Sequence, residues 1–591
     1  MNNSFLPISK EDMKARGWDS LDIIIVTGDA YVDHPSYAAA VIGRVLESEG
    51  FRVGIIAQPN WHKTDDFKKL GRPRLFFGVT AGNLDSMVAN YTASHKFRSV
   101  DDYSPGGKKG LRPDRATMIY ANKLRQAFGE IAIVIGGIEA SLRRLAHYDY
   151  WSDKVRRSIL LDSKADILVY GMGEKQILEI ARRMQNGKDA KDLGGIRGTV
   201  VVRNSIDGLK DAVVIPSFEE VNSDKNKFNQ AFRATYLEQD PFRGKTIVQK
   251  HAARYVIQFP SALPLATEEI DRIYELKYAL RPHSVYDKEG GVPGFEAVRS
   301  SVISHRGCPG ECSYCSLGLH QGRIVQSRSG ESILREIKAL ARRKDFKGTV
   351  TDIGGPTANL YMARCRLWGK DGSCRDRKCL VPEKCKNLEL GYRQTLDLWR
   401  EAGTIPGVKN IFIGSGVRYD LLVGKESDEL LKDLCAYHVS GRLKVAPEHS
   451  EAKVLGLMNK PSFNVYREFV KRYSDMNKKL RKKQYLVNYF ITGHPGSTLE
   501  DALKLALTLA EMKIYPEQIQ DFIPLPMTPS GCMYYTEKDP FTGKAVYVAK
   551  GMRDRKLQRA LVQFKQPQNK RYVIEALRSL DKMNFMNVFY G

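Results

Sequence analysis

No run of the sequence reaches the roughly 18 uninterrupted apolar residues of a membrane-spanning helix, so a helical membrane protein is not expected and no membrane partner is assigned. The opening MNNSFLPISKEDMKARGW has neither an apolar core region nor a small-residue cleavage site, so no secretory signal is read and the expected location is cytoplasmic. Internal repeats and low-complexity tracts are missing, which sets aside solenoids and disordered scaffolds. Acidic residues are the scarcer sign: 68 Asp and Glu face 93 Lys and Arg, a formal charge of +25. That surplus favours nucleic acid, anionic cofactors or membrane surfaces as partners and says nothing of fold. Cysteines are few and odd in number, nine in 591 residues, yet seven lie between Cys308 and Cys385. Without an export signal the thiols should stay reduced, so their clustering points to metal rather than disulfides.

What is present is enough apolar material for several cores: 42% hydrophobic residues in a chain long enough for three or four domains. Strand-like runs at Asp22–Thr27, Phe51–Ala57, Ile131–Ile135 and Ala165–Tyr170 alternate with helical spacing and glycine turns. This pattern predicts an α/β fold with a doubly wound parallel sheet over residues 1–200. Residues 201–295 are more polar and read as a helical or irregular connector, with helical stretches at Ser217–Glu238 and Thr267–Ala279. A second series, 296–534, has strand candidates at Ser300–Ser304, Gly348–Ile353, Asn410–Ile413, Arg442–Val445, Tyr485–Ile491 and Ile519–Ile523. Six βα repeats suit a partial (β/α)6 barrel that carries its functional groups at the strand C-termini. A Cys-rich insertion occupies 360–388, and residues 535–591 form a basic C-terminal extension, a tail or a small helical unit.

Directly after the first strand of the second series stands His305-Arg-Gly-Cys308-Pro-Gly-Glu-Cys312-Ser-Tyr-Cys315. Three cysteines on one loop can converge on a metal centre, but three thiolates are one short of a closed structural zinc site. An iron–sulfur cluster with one iron left open uses such a deficit. A zinc knuckle completed by His305 or by a distant cysteine is the alternative. A second group, Cys365, Cys374, Cys379 and Cys385, meets the ligand count of an auxiliary iron–sulfur cluster or a structural zinc site; spacing does not separate the two. Cys435 and Cys532 read as packing residues.

The C-x3-C-x2-C loop resembles that of the radical S-adenosylmethionine (SAM) superfamily, and across most of its length the chain looks like the YgiQ-type radical SAM proteins. The resemblance implies that Cys308, Cys312 and Cys315 bind a 4Fe-4S cluster whose open iron chelates SAM, with Tyr314 near the adenine. It further implies that Gly354 and Gly355 approach the methionyl amino group, Pro356 standing where the superfamily usually has glutamate. By the same likeness Arg418, in Gly414-Ser-Gly-Val-Arg-Tyr419, pairs with the SAM carboxylate. Glu448, in Ala446-Pro-Glu-His449, accepts the ribose hydroxyls. Gly493-His-Pro-Gly496-Ser-Thr498 matches a family turn whose expected role is structural. Flavodoxin or ferredoxin is the implied electron donor. The N-terminal region looks like the domain that precedes the core in cobalamin-dependent radical SAM enzymes, but the usual Asp-x-His-x-x-Gly motif is missing. Asp33-His34-Pro35 is the nearest candidate, so cobalamin is not expected.

The leading expectation is a radical SAM enzyme that makes a 5′-deoxyadenosyl radical and abstracts hydrogen from an unidentified substrate. Within that class, an enzyme modifying tRNA or rRNA draws on the +25 charge, the run Lys478–Lys483 and the basic surroundings of Tyr572. From another class, a non-catalytic zinc protein binding nucleic acid explains the charge but not the glycine turns after successive strands.

Overall fold

The computed structural model describes residues 5–591. It divides into two units: the chain up to Ser301 with Leu319–Gly322, and Val302–Gly318 with Arg323–Gly591.

In the first unit, short β-branched and aromatic runs form β1 (Ile23–Thr27), β2 (Val53–Ala57), β3 (Phe76–Thr80), β4 (Ile133–Gly136) and β5 (Ile167–Val169), which are almost wholly buried. Burial on both faces is what parallel strands covered by helices require. They pair in parallel in the order β2-β1-β3-β4-β5. Strand alternation decides which helix each residue meets. Phe76 packs in the cluster that holds Ala40 and Leu46 of α1 (Ala38–Ser48). Its neighbour Phe77 points the other way, its ring 5.2 Å from that of Phe128 in α2 (Ala116–Phe128). The glycine turn after β4 opens α3 (Gly137–Leu142), and Gly171–Gly173 leads into α4 (Glu174–Gln185), whose Ile177 and Ile180 join the Phe76 cluster.

The segment expected as a helical or irregular connector also supplies strands to this sheet. Thr199–Arg203 (β6), Val213–Ile215 (β7), Ile247–His251 (β8) and Arg254–Gln258 (β9) extend the same sheet to nine strands, β7-β8-β9-β6-β5-β4-β3-β1-β2. β6 meets β5, and β9 meets both β6 and β8, antiparallel. The helical stretches anticipated there do form, at Phe218–Ser223, Lys225–Leu237 and Thr267–Tyr274. Polar composition concealed strands only three to five residues long.

The order 2-1-3-4-5 of the parallel strands puts the topological switch point between β1 and β3, where open α/β sheets offer a crevice beyond the strand C-termini. Here that crevice is filled by charge. Arg112, fully buried, donates from Nη1 to Asp29 Oδ1 (2.8 Å) and Ala81 O (2.7 Å), and from Nη2 to both Asp101 oxygens (3.2 Å). Gly28 sits so close to β3 that a Cβ there would lie 2.2 Å from Ala81 O. Asp33 is buried against Arg44, and His34 Nδ1 accepts from Ser36 N (3.1 Å) with its ring beside Phe295.

In the second unit the strands fall close to their expected places: β10 (Ser301–Ile303), β11 (Thr349–Val350), β12 (Asp352–Gly354), β13 (Asn410–Ile411), β14 (Arg442–Glu448), β15 (Tyr485–Thr492) and β16 (Gln520–Asp521). β11 and β12 are two halves of one strand interrupted at Thr351. β10 pairs with β12, β11 with β13 in parallel, and β14-β15-β16 run parallel. Val417 N donates to Lys444 O (3.3 Å), tying the loop after β13 to β14. The intervening helices include α5 (Gly330–Ala341), α6 (Tyr392–Gly403), α7 (Asp428–Asp433), α8 (Phe463–Lys479) and α9 (Leu499–Glu511). This is the partial (β/α)6 arrangement.

After α10 (Pro529–Thr536), the C-terminal residues are not a free tail. α11 (Met552–Val562) and α12 (Lys570–Ser579) lay Leu557, Leu561, Val573 and Leu577 against Ala502, Leu503 and Ala506 of α9. Cys435 and Cys532 are buried packing residues.

Candidate active site

The three-cysteine loop begins where β10 ends. Ser304 donates from N and Oγ to Gly354 O (2.7 and 3.1 Å), locking the ends of β10 and β12 together. Gly307 has φ +83°, and a Cβ there would stand 2.1 Å from Ile324 O, so only glycine serves at this turn. Asn459, in the segment after β14, clamps the loop by donating from Nδ2 to Gly310 O (3.2 Å) and Glu311 O (2.9 Å). Ser313 donates from N to Met458 O (3.0 Å) and from Oγ to Leu457 O (2.6 Å). Thus the loop's peptide groups are spent on its own support, and the side chains of Cys308, Cys312 and Cys315 are left as free, partly exposed thiols. Burial pushes the Cys315 thiol up to about 12, with Cys312 and Cys308 adding to the effect. Burial likewise raises Cys308, with Arg418 opposing.

Two residues named from the sequence close on this loop. Tyr314 donates from its hydroxyl to Glu448 Oε1 (2.7 Å). Glu448 ends β14 at φ +68°, a left-handed backbone that costs a non-glycine residue about 1 kcal/mol or more and is common at functional sites. Its carboxyl is raised by burial, with Lys460 and the Tyr314 hydrogen bond opposing, and its Oε2 has no hydrogen-bond partner. A buried carboxylate oxygen left unpaired is costly and awaits a donor.

Arg418 lies on the other side, with Nη1 3.9 Å from Cys312 Sγ. The structure alters its reading as a free clamp for a carboxylate. Nε and Nη2 are already taken by Asp420 in a bidentate pair (3.1 and 2.7 Å), leaving Nη1 toward the thiols. Burial works against its charge, but Asp420 and then Cys312 outweigh it, and the guanidinium stays firmly cationic. Gly310 makes room for it: a Cβ there would lie 2.6 Å from Nη1.

Gly354 and Gly355 are glycines for close approach. A Cβ on Gly354 would stand 2.4 Å from Ser415 Oγ, and one on Gly355 would stand 2.5 Å from His305 O. His305 itself is neutral, its pKa lowered to about 4 by burial, and its Nδ1 faces Ser304 Oγ (2.9 Å). Sequence reasoning missed Asp420, Asn459 and Lys460; only Asp420 had a signal, two residues beyond Arg418.

Cys365, Cys374, Cys379 and Cys385 also come together. The bridge Arg364–Cys365 with Leu388–Glu389 closes the insertion, and Cys385 N donates to Cys379 O (2.8 Å). Cys379 lies within electrostatic reach of Glu311 and of the other three thiols, which, after burial, push it up to about 12. Among the described residues no three His, Cys, Asp or Glu side chains close on a single-ion site, in either cysteine group.

The chain's first half matches the model for the radical SAM N-terminal domain over residues 5–301, and residues 302–509 match the radical SAM superfamily. Residues 517–586 match a domain of unknown function, DUF3362. A UPF0313 protein of Clostridium botulinum (strain Kyoto / Type A2) is 53% identical over 576 residues, 98% of this chain and 89% of the relative. The chain belongs to the UPF0313 family. This is the family of YgiQ-type radical SAM proteins. A member from Methanocella arvoryzae is 51% identical across 99% of this chain and 96% of its own length. Among solved structures, the radical SAM methyltransferase TsrM from Kitasatospora setae, with cobalamin and a 4Fe-4S cluster bound, is similar at 15% identity and a TM-score of 0.49, over 87% of this chain and 74% of that one. The cobalamin-dependent radical enzyme OxsB gives 10% identity and a TM-score of 0.46, over 96% of this chain and 63% of that one. Both of those structures hold cobalamin.

The residues present fit what the family implies. Three thiols stand on a braced loop, a fixed cation faces one of them, and a buried carboxylate oxygen without a partner lies beside Tyr314.

Proposed function

We propose that the chain is a radical SAM enzyme in which Cys308, Cys312 and Cys315 hold a 4Fe-4S cluster and Tyr314, Glu448 and Arg418 seat SAM. The cluster, when bound and reduced by a flavodoxin- or ferredoxin-type donor, supplies the electron that cleaves SAM to a 5′-deoxyadenosyl radical. The observation that carries this reading is the unpartnered Glu448 Oε2, buried beside the three-cysteine loop. It is an acceptor placed for hydroxyl donors, while Tyr314 fixes the other oxygen so that Oε2 keeps its direction. Arg418, held by Asp420, contributes a positive charge next to Cys312. Gly354 and Gly355 offer backbone where any larger residue would collide. The substrate that loses hydrogen is not specified by these residues.

The test is anaerobic reconstitution with iron and sulfide, followed by a dithionite-driven cleavage assay. The expected result is about four irons at this loop and formation of 5′-deoxyadenosine. A colourless, zinc-loaded protein that leaves SAM intact would overturn the proposal.

A second reading makes RNA the substrate. It rests on the +25 charge and on the exposed Lys478, Lys479, Lys482 and Lys483 at the end of α8 and just beyond it. Tyr572 does not add a stacking platform, because Lys556, Arg571 and Arg553 already sit 4.0, 4.5 and 5.2 Å from its ring centre. Filter binding of bulk tRNA across salt concentrations decides it: retention that falls steeply with salt supports RNA, and no retention at low salt removes it.

A further inference from the structure

The Cys-rich insertion has no use in the chemistry above. Residues 360–388 contain little regular structure: two two-residue strands, the short turn Ala358–Leu360 that runs into the segment, and a single-turn helix at Trp368–Asp371. Few ladder or helix hydrogen bonds therefore hold the segment in shape. Its core is small, with Leu360, Trp368, Leu380, Cys385 and Leu388 buried together and Cys365 and Cys379 packed against them. Segments of this size with so little core are usually ordered by a staple, either disulfides or a metal. None of the four is joined in a disulfide.

The four thiols are brought to one place by separate devices. The two-strand bridge delivers Cys365 opposite Leu388, the turn closed by Cys385 N and Cys379 O joins the last two, and Cys374 lies within electrostatic reach of Cys379. Charge around them is of the sign a four-thiolate centre needs. Between Arg364 and Lys386 there are eight Lys and Arg against three Asp and Glu. A metal centre bound by four thiolates carries net negative charge, which those cations offset.

We propose that Cys365, Cys374, Cys379 and Cys385 form a second metal centre, a four-thiolate site for an iron–sulfur cluster. The centre adjoins the three-cysteine loop. Glu311, between Cys308 and Cys312, pairs with Lys378 (2.8 Å) and Arg323 (3.1 Å), and Cys308 packs against the same apolar cluster as Cys365 and Cys379. Occupancy of the second centre thus braces the loop that carries the first.

This inference does not depend on the radical reading, and its test is arranged accordingly. In the full chain, Cys308, Cys312 and Cys315 are replaced together by Ala, which removes the first site. The variant is reconstituted anaerobically with iron and sulfide and, separately, with zinc, then desalted and counted. Retention of about four irons with matching sulfide supports the site, and retention of about one zinc in place of iron overturns it. Adding Cys374→Ser and Cys379→Ser should abolish that retention. A measurement on the unaltered protein covers the case in which variants misfold. Maleimide labelling read by peptide mass should leave these four cysteines protected in metal-loaded protein and expose them after chelation. No retained metal in the triple variant together with unchanged labelling, or four thiols recovered as disulfides from anaerobic protein, overturns the proposal.

Discussion

At the scale of single residues, the thiols, Tyr314, Arg418 and Glu448 were named from the sequence, and Asp420, Asn459 and Lys460 were not. The spacing Cys308-x3-Cys312-x2-Cys315 is local, so it survives without knowledge of the fold. Asn459 reaches the loop from 148 and 149 residues away, Lys460 acts on Glu448, and nothing near them in the chain marks them out. Arg418 was named from the sequence, and its partner Asp420, two residues on, was not. Cys312→Ala should leave the fold in place and reduce 5′-deoxyadenosine formation to background, with iron at this loop lost; residual cleavage above background would refute the assignment. Glu448→Gln keeps the shape but exchanges the acceptor charge for a neutral amide, so SAM affinity should fall about tenfold to a hundredfold while iron content is unchanged, as read by calorimetry on the reconstituted enzyme. Gly355→Ala forces a Cβ to within 2.5 Å of the His305 carbonyl. That overpacking should cost about 1–3 kcal/mol in urea unfolding, and an unaffected midpoint would show that the backbone yields there.

At the scale of elements, hydrophobic runs bounded by glycine identified β1, β2, β4, β5 and nearly all strands of the second unit, because a strand buried on both faces is a local property; β3 was missed. Residues 199–258 failed the same reading. β7 is three residues long, and β8 and β9 carry Gln249, Lys250, Arg254 and Gln258, so neither length nor apolar continuity announced them. What defines them is pairing with β6 and with each other, a long-range fact. The turn before α9 was read as structural, and it is: Thr498 caps the helix, its Oγ1 accepting from Asp501 N (3.2 Å) while Asp501 Oδ2 accepts from Thr498 N (2.9 Å). Thr498→Ala should lower stability by about 1 kcal/mol, and because α9 carries the faces of α11 and α12, exchange protection of all three helices should fall together.

At the scale of the whole molecule, burial of histidine sets the response to acid. His147, His251, His305 and His449 are lowered to about 4 and His494 to about 3, burial being the largest cause in each. Each therefore binds a proton in the unfolded chain near its ordinary pKa of about 6.5 but not in the folded one until pH approaches 4. The stability they contribute is complete above about pH 6.5 and declines as pH falls, at roughly 1.4 kcal/mol per histidine per pH unit at full slope. Urea midpoints should thus drop clearly between pH 7.5 and 5.5, and a flat profile would contradict the neutral, buried state of these rings.

The mixed extension of the sheet has a consequence of another kind. Without β6 to β9, the parallel array would end on β5 as a bare hydrophobic edge, the sort of surface on which foreign strands nucleate. Instead the sheet terminates on β7, three residues long, where Val214 is 64% exposed but too few peptide groups are presented for another chain to extend. Air oxidation of the thiols leaves this termination untouched. An inactivated preparation should accordingly lose its chemistry well before it loses its solubility.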